Sequence, residues 1–417
     1  MNAEILSVGT ELLLGNIVNT DARDLSEMLS ELGINVFYHS VVGDNPERLE
    51  QSVKLAKTRA DLIITTGGLG PTYDDLTKQV LCRAFGLEMY YDETEADGIK
   101  EWFEKRRRGA KMTENNLRQA WLPEGCTVFH NLWGTAPGCA FEADGVHVIM
   151  LPGPPSECTA MFRNCAMPYL KSLEGGVIAS HSLRVFGMGE SAVENLLSGM
   201  MNELTNPTLA PYAKEGEVML RVTAKADSEQ QAEEMMTPVI ENVREALGEL
   251  IYGMDVDSLE ERVSALLREK HSTLACAESC TGGLAAKRMT DLPGASEVFR
   301  GGVVTYTDEV KTTLLDIDPD VLRTEGAVSA EVAAEMAENV REKLRADIGI
   351  GITGLAGPDG DGKNPVGTVF VAMATGMDTF IAPLSIGVGR DRIRTYAASY
   401  ALDMVRRYLT GVHVVHV

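Results

Sequence analysis

HSTLACAESCTGGLAAKRM, residues 271–289, changes its periodicity halfway along. His271 to Ala277 is a short apolar run that reads as a buried strand, whereas after the glycines Leu284, Ala285 and Met289 recur on one side of a helix. The octet CAESCTGG, Cys276–Gly283, is therefore a strand-to-helix turn. A strand that passes into a helix through a glycine pair is the building unit of an α/β sheet. The turn also sets Ser279 and Cys280 where the free N–H groups of a helix start favour negative charge, an oxyanion included. Two readings fit these residues: one of the two side chains is a nucleophile, or Ser279 caps the helix and Gly282-Gly283 only turn the chain.

The pattern extends in both directions. From Ser258 a helix Leu259–Glu269, the strand before Ser279, the strand GGVVTYT, a helix from Ser329, the strands ADIGIGITG, GTVFVAMAT and FIAPLSIG, and a closing helix Arg390–Leu409 follow one another. Residues 1–170 alternate in the same way: AEILSVG, a helix around Ala22–Leu32, INVFYHSVV, a helix from Pro46, DLIITTGG, a helix from Asp75, and later VHVIMLPG. That alternation predicts a parallel sheet with helices on both faces and ligands at the carboxyl ends of its strands. Residues 180–250 read as strand, helix, two strands and helix, a small α+β module, with YGMDVDS from Tyr252 as a linker. The expected domains are 1–172, 177–252 and 256–417.

Bulk composition excludes several classes. At 417 residues the chain exceeds one core of ordinary size. Its 61 acidic against 38 basic residues give a net charge of -23, so nucleic acid and anionic membranes are repelled. The longest basic run, Lys105-Arg106-Arg107-Arg108, sits near Glu101 and Glu104 and reads as a solvated helix face. No apolar run reaches about 18 residues and the N-terminal stretch lacks a basic leader, so a cytoplasmic location is expected. The seven cysteines form no CxxC pair and read as core residues rather than zinc ligands or disulfides.

A cysteine nucleophile needs an imidazole partner. After Ser258 only His271, His413 and His416 occur, and none is placed beside the turn. A serine can instead use a lysine kept neutral by burial. If VVTYTDEVK lies beside the strand of Ser279, Tyr306 and Lys311 come over the turn; otherwise Lys311 is a surface helix residue. GITGLAGPDGDG, residues 351–362, offers backbone N–H groups to a phosphate or carboxamide.

The N-terminal strand ends SVGTELLLG (7–15), VGDNPERL (42–49), TTGGLGPTYDDLT (65–77) and LPGPPSE (151–157) gather Glu11, Asp44, Asp74, Asp75 and Glu157 among glycine turns. Hard oxygens of this kind suit Mg²⁺, Mn²⁺ or Co²⁺ holding a phosphate. Asp74 or Asp75 can alternatively cap the helix that follows.

AESCTGG (277–283), GGVVTY with a lysine five residues on (301–311), GAVS (326–329), ITGLAGPDG (352–360), PVGTV (365–369) and GRDR (389–392) together resemble the C-terminal domain of the CinA competence/damage-inducible family, a domain also found alone as nicotinamide mononucleotide deamidase. The resemblance implies that Ser279 attacks the pyridine carboxamide with Tyr306 and Lys311 as catalytic partners and no cofactor. Cys280, Thr281, Gly282, Gly283, Thr353, Gly354, Ala356, Gly357 and Arg390 would then contact substrate, with N–H groups near Thr281–Gly283 as oxyanion donors. The N-terminal segments, with NNLRQAWLPEG and NLWGTAPG, resemble the molybdopterin-binding-like domain of the same family, associated with metal-dependent cleavage of ADP-ribose. That likeness implies nucleotide contacts at Gly9, Thr10, Glu11, Asn16, Asn19, Thr20, Thr66, Gly67, Gly68, Gly70, Thr72, Asp74, Gly153 and Pro154, and a divalent metal (Mg, Mn or Co) on Asp75, Asp44 and Glu157. Two positions depart from the family pattern: Asp21 stands where an asparagine is usual and Gln79 where a glutamate is. The middle module resembles a KH-type domain without its basic GxxG loop, and its five Lys/Arg against twelve Asp/Glu between Gly175 and Tyr252 suit a spacer or dimer contact rather than RNA. The implied protein is a homodimeric enzyme of pyridine nucleotide recycling. Its rivals are a non-enzymatic competence or DNA-repair partner and a molybdopterin-handling protein.

Overall fold

The computed structural model describes residues 1–105, 112–173, 176–214, 216–387 and 389–415, so Arg106–Arg108 and His416 lie outside the described residues. Two compact units form, Met1–Ala179 with Lys225–Glu233, and Ser180–Ala224 with Glu234–Val417. No helix among the described residues is long and apolar enough to cross a membrane.

The first unit runs β1 (Asn2–Val8), α1 (Thr10–Leu13), α2 (Thr20–Glu31), β2 (Asn35–Val42), α3 (Pro46–Ala56), β3 (Leu62–Thr66), α4 (Thr77–Phe85), β4 (Met89–Tyr91), α5 (Glu93–Lys105), β5 (Trp121–Pro123), β6 (Thr127–Phe129), β7 (Gly138–Ala143), β8 (Val146–Leu151), α6 (Pro155–Met161) and α7 (Met167–Leu173). Its main sheet has the order β2-β1-β3-β8-β7-β6. The first four strands are parallel, as their sequence predicts, and β1 places Ile5 in one apolar layer and Leu6 in the other. A sheet covered on both faces reads as continuous apolar runs, which LIITT at β3 does, all five residues being buried. The parallel expectation fails at one edge, where β7 and β6 run antiparallel. The cause is local: Asp144-Gly145, both at positive φ, close a two-residue hairpin between Ala143 and Val146. At the end of α5 the exposed Lys105 pairs with Glu101 at 2.8 Å, a solvated contact.

The second unit begins within β9 (Val177–Val185) and continues through α8 (Glu190–Glu203), β10 (Thr208–Lys214), β11 (Glu217–Ala226), α9 (Glu229–Leu247) and β12 (Ile251–Met254). Its small sheet has the order β10-β11-β9-β12. Tyr252–Met254, read from sequence as linker, is thus the end of an edge strand that pairs antiparallel with β9. Then follow α10 (Leu259–Glu269), β13 (Leu274–Glu278), α11 (Leu284–Thr290), β14 (Phe299–Val304), α12 (Asp308–Leu315), α13 (Pro319–Thr324), α14 (Ala330–Lys343), β15 (Ile348–Gly354), β16 (Thr368–Ala374), β17 (Thr379–Ser385) and α15 (Arg390–Thr410). The sheet order is β14-β13-β15-β16-β17, with β14, β13 and β15 parallel and the last two strands antiparallel. Cys276 of β13 faces a layer with Val263, Met289 and Ala401 from α10, α11 and α15, while Ala275 and Ala277 face Leu315, Val332 and Met336 from α12 and α14.

The middle module is seated on the closing helix. Phe186 meets Tyr400 edge-on with ring centroids 5.1 Å apart. Arg407 reaches the Glu249 carboxylate at 2.7 Å, and Arg406 bonds Asp403 at 2.6 Å and the Glu249 carbonyl at 3.1 Å. Both guanidinium side chains are buried.

Candidate functional site

Ser279 sits one residue past β13, and the sheet pairing extends to hold it there: its N–H donates to the Ile352 carbonyl at 2.9 Å, and the Thr305 N–H donates to the Glu278 carbonyl at 2.8 Å. The chain then turns through Gly282 and Gly283 at φ of +62° and +90°, a left-handed path that side chains other than glycine adopt at a cost. Glu278, buried beneath the turn, accepts the N–H groups of Ala285 and Ala286 at 3.2 and 2.8 Å and so satisfies the start of α11. Ser279 therefore has no capping duty.

Thr307 caps α12 through the Val310 N–H at 3.3 Å, and one turn in, Lys311 points under the sheet edge. Lys311 is 1% exposed, and its Nζ lies 3.4 Å from Ser279 Oγ. Burial pushes its ammonium pKa down, with Asp308 opposing. The surface-helix alternative for Lys311 is thereby excluded. Cys280 is the opposite case: burial pushes its thiol up to about 11 against the backbone N–H groups of Cys280 and Thr281. His271 precedes β13 at the end away from the turn, and His413 contacts the Val415 carbonyl.

Ser279, Cys280, Tyr306, Lys311, Thr353, Gly354, Ala356, Gly357 and Arg390 line one cleft of about 250 Å³. Tyr306 stands at its rim, 58% exposed, where its hydroxyl accepts from Arg390 Nη2 at 3.2 Å; Arg390 Nη1 donates to the Gly357 carbonyl at 2.9 Å. Thr281, Gly282 and Gly283 do not line the cleft, contrary to expectation. The left-handed turn carries them toward α15, where Arg394 takes the Thr281 carbonyl at 2.9 Å, and the Gly282 N–H is spent on the Ser279 carbonyl at 3.1 Å. Gly282 cannot serve as an oxyanion donor in this arrangement. Sequence reasoning left Asp308, Ala327, Val328, Leu355 and Asp359 out of the cleft. The GAVS segment was the available signal for Ala327 and Val328: Thr353 Oγ1 donates to the Ala327 carbonyl at 2.7 Å and draws that loop in.

A second cleft, of about 470 Å³, opens at the carboxyl ends of β1 and β3. Gly9, Glu11, Asn19, Thr20, Asp44, Thr66, Gly67, Gly68, Gly70, Thr72, Asp74, Asp75, Gly153 and Pro154 line it as predicted. Gly67, at φ +90°, passes so close to β1 that a Cβ would lie 2.2 Å from the Val8 carbonyl oxygen. Asn19 caps α2 by accepting the Ala22 N–H at 3.2 Å. Thr10 and Asn16 are not among the lining residues: Thr10 donates N–H and Oγ1 to Asp44 at 2.9 and 2.8 Å, fixing that carboxylate, and the Asn16 N–H donates to the Glu11 carbonyl. Glu157 is also outside the cleft, because Asn131 holds it at 2.8 Å against Gly134. The helix-cap alternative for Asp74 and Asp75 falls too. The cap position of α4 is Leu76, and both carboxylates accept from Thr72, Asp75 at 2.8 Å from its N–H. Among the described residues no three acidic, histidine or cysteine side chains converge to hold a metal ion, so the expected trio Asp44, Asp75 and Glu157 is not assembled. What the cleft does offer is Glu11, Asp21, Asp44, Asp74 and Asp75 with no lysine or arginine among its described lining residues. Asp21 is 8% exposed, its Oδ1 has no donor among the described residues, and burial, then Asp24, push its carboxyl up to about 6. Gln79, the other departure, lies outside the lining and also buries an unpartnered oxygen.

Family models match three segments: "CinA C-terminal domain" at residues 256–409, "Probable molybdopterin binding domain" at 4–172 and "Damage-inducible protein CinA KH domain" at 180–253. A CinA-like protein of Dictyoglomus thermophilum is 47% identical over 413 residues, spanning 99% of this chain and 100% of that protein. This chain belongs to the CinA family. A CinA-like protein of Kosmotoga olearia is likewise 47% identical, over 98% of this chain and 99% of its own length. Among solved structures, the protein CinA of Thermoplasma acidophilum shares 34% identity and a TM-score of 0.37, covering 40% of this chain and 96% of that one. The CinA architecture is mixed α/β, with the molybdopterin-binding-like domain first, the KH domain in the middle and the CinA C-terminal domain last.

Proposed function

We propose that the C-terminal cleft hydrolyses the carboxamide of nicotinamide mononucleotide to the nicotinate nucleotide and ammonia. The observation that carries this reading is the pair Ser279 Oγ and Lys311 Nζ, 3.4 Å apart, with the lysine buried and its pKa lowered. A neutral amine beside a serine hydroxyl is a general base beside a nucleophile. Lys311 takes the Ser279 proton as Oγ attacks the carboxamide carbon, then returns it to the departing nitrogen, which leaves as ammonia. Water, deprotonated by the same amine, hydrolyses the acyl ester and restores Ser279. The rest of the lining suits a substrate bearing both signs of charge: Asp308 and Asp359 complement a pyridinium, and Arg390 complements a phosphate. The test is to incubate the full chain with nicotinamide mononucleotide and measure ammonia. Steady release that Ser279→Ala abolishes is expected; no release by the unaltered protein overturns the reading.

We infer a second activity in the N-terminal cleft, metal-dependent cleavage of the pyrophosphate of ADP-ribose. Five carboxylates with no basic residue among the described lining disfavour a bare phosphate, and although no three of them converge in this arrangement, their hard oxygens are of the kind that a divalent cation brought in with its ligand would use. Asp44 and Asp75, each pinned through one oxygen, are the residues that would hold the cation. When bound it would neutralise charge on the phosphate oxygens. Appearance of AMP from ADP-ribose, stopped by chelator, is the expected result; cleavage unaffected by chelator overturns this assignment.

A further inference from the structure

Asp21 is the second residue of α2, after the Asn19 cap, and forms part of the wall of the N-terminal cleft. The residue is more than nine-tenths buried, and among the described residues its buried Oδ1 has no hydrogen-bond donor. Nearby groups do not compensate it. Asp24 lies one turn along the same helix and adds repulsion, while Cys158 on α6, which packs against α2, is held as a neutral thiol by burial. Glu11, Asp44, Asp74 and Asp75 line the same cleft. The exposed N–H groups at the start of α2 contribute only a partial positive charge. A buried charge without a partner is costly, and the positive charge that would offset it is not supplied by the described lining residues. It can be supplied by what enters.

We propose that Asp21 is a specificity residue that makes this cleft take the divalent-cation complex of a phosphate ligand and reject the same ligand without its cation. The inference rests on the reading that a phosphate-bearing nucleotide uses the N-terminal cleft. Asp21 acts through its charge: a free pyrophosphate meets a fifth carboxylate, and a cation-neutralised one meets a counter-charge. One unit charge at about 8 Å, at an effective dielectric of about 20, changes an affinity by roughly tenfold or more.

The experiment compares the full chain with Asp21→Asn, which keeps the shape and loses the charge. Binding of ADP-ribose, used as its non-cleavable α,β-methylene analogue, is measured by titration calorimetry near pH 8 with Mg²⁺ and again with chelator, and Mn²⁺ alone is titrated by the loss of its free paramagnetic signal. The unaltered protein is expected to lose at least tenfold more affinity for ADP-ribose on chelation than Asp21→Asn does, and to bind Mn²⁺ more tightly. Equal losses in the two proteins, with equal Mn²⁺ affinities, overturn the proposal. If neither protein binds ADP-ribose while the Mn²⁺ difference persists, the ADP-ribose assignment falls and the cation preference of Asp21 stands. If ADP-ribose binding weakens in Asp21→Asn equally with and without Mg²⁺, Asp21 is a direct hydrogen-bond acceptor and the charge argument is overturned. Should Asp21→Asn fail to fold by circular dichroism, Asp21→Ser replaces it in the same comparison.

Discussion

Replacing Lys311 by methionine should move activity and stability in opposite directions. The substitution keeps an unbranched side chain of similar length at a site only 1% exposed and removes the amine 3.4 Å from Ser279 Oγ. Loss of a positioned base costs about 10²–10⁴ in turnover, a barrier increase of roughly 3–5 kcal/mol. The stability effect follows from proton linkage. A lysine whose folded pKa lies below its unfolded value binds fewer protons when folded, so at neutral pH it penalises the native state, and the penalty fades as pH climbs from the folded toward the unfolded pKa. Lys311→Met should therefore denature at a higher temperature than the parent near pH 7, by a margin that shrinks as pH rises. Ammonia release from nicotinamide mononucleotide and thermal denaturation at several pH values measure the two effects. Lys311→Arg, which keeps the charge and cannot deprotonate, should be as inactive as the methionine variant. Turnover within a few fold of the parent in Lys311→Arg would refute the base assignment and leave Lys311 an electrostatic clamp, with Tyr306 the next candidate.

Ser279→Ala should abolish ammonia release while Cys280→Ala, at a thiol held near 11, keeps most of it; the reverse pattern would sink the nucleophile assignment. Chelator should stop ADP-ribose cleavage and spare deamidation, and equal inhibition of both would mean that the two clefts do not divide the chemistry. Asp21, whose carboxyl is raised from 3.8 to about 6, costs the native state nothing below pH 4 and its full penalty above about pH 6. Asp21→Asn should therefore gain up to ~3 kcal/mol over the parent at pH 8 and nothing at pH 4, at about 1.4 kcal/mol per pKa unit. Denaturant titrations that show no difference at pH 8 would contradict it.

The pairing of Ser279 with Lys311 was legible because consecutive strand ends that carry polar residues came to lie side by side: β14 is hydrogen-bonded to β13, so a lysine beyond one faced a serine beyond the other. The same logic gathered Glu11, Asp44, Asp74 and Asp75 in the N-terminal cleft, whereas the rest of its lining followed from the family resemblance. The strand-end logic failed where a side chain had a local partner outside that pattern. Glu157 follows β8 as a ligand would, yet Asn131 in a distant loop claims it. Asp308, in the first turn of α12, was not singled out, and the Gly282 N–H and the Thr281 carbonyl are taken up by the turn itself and by Arg394. In the fold, the antiparallel edge was signalled by Asp144-Gly145 between apolar runs, whereas β12 is only four residues long, with a glycine among them, and looked like linker.

The seating of the middle module on α15 bears on how the C-terminal domain can be produced alone. A chain cut to begin at residue 256 would lose Glu249 and Phe186 together. Arg406 and Arg407 would keep their charges without the Glu249 acceptors, and the ring of Tyr400 would meet water. Such a fragment would carry a sticky seam along the last turns of its final helix and invite self-association at concentrations where the full chain stays dispersed. Repainting Tyr400 and Arg407 with small polar residues, while keeping Arg406 for the buried Asp403, is the rational first step toward a free-standing C-terminal domain from this sequence.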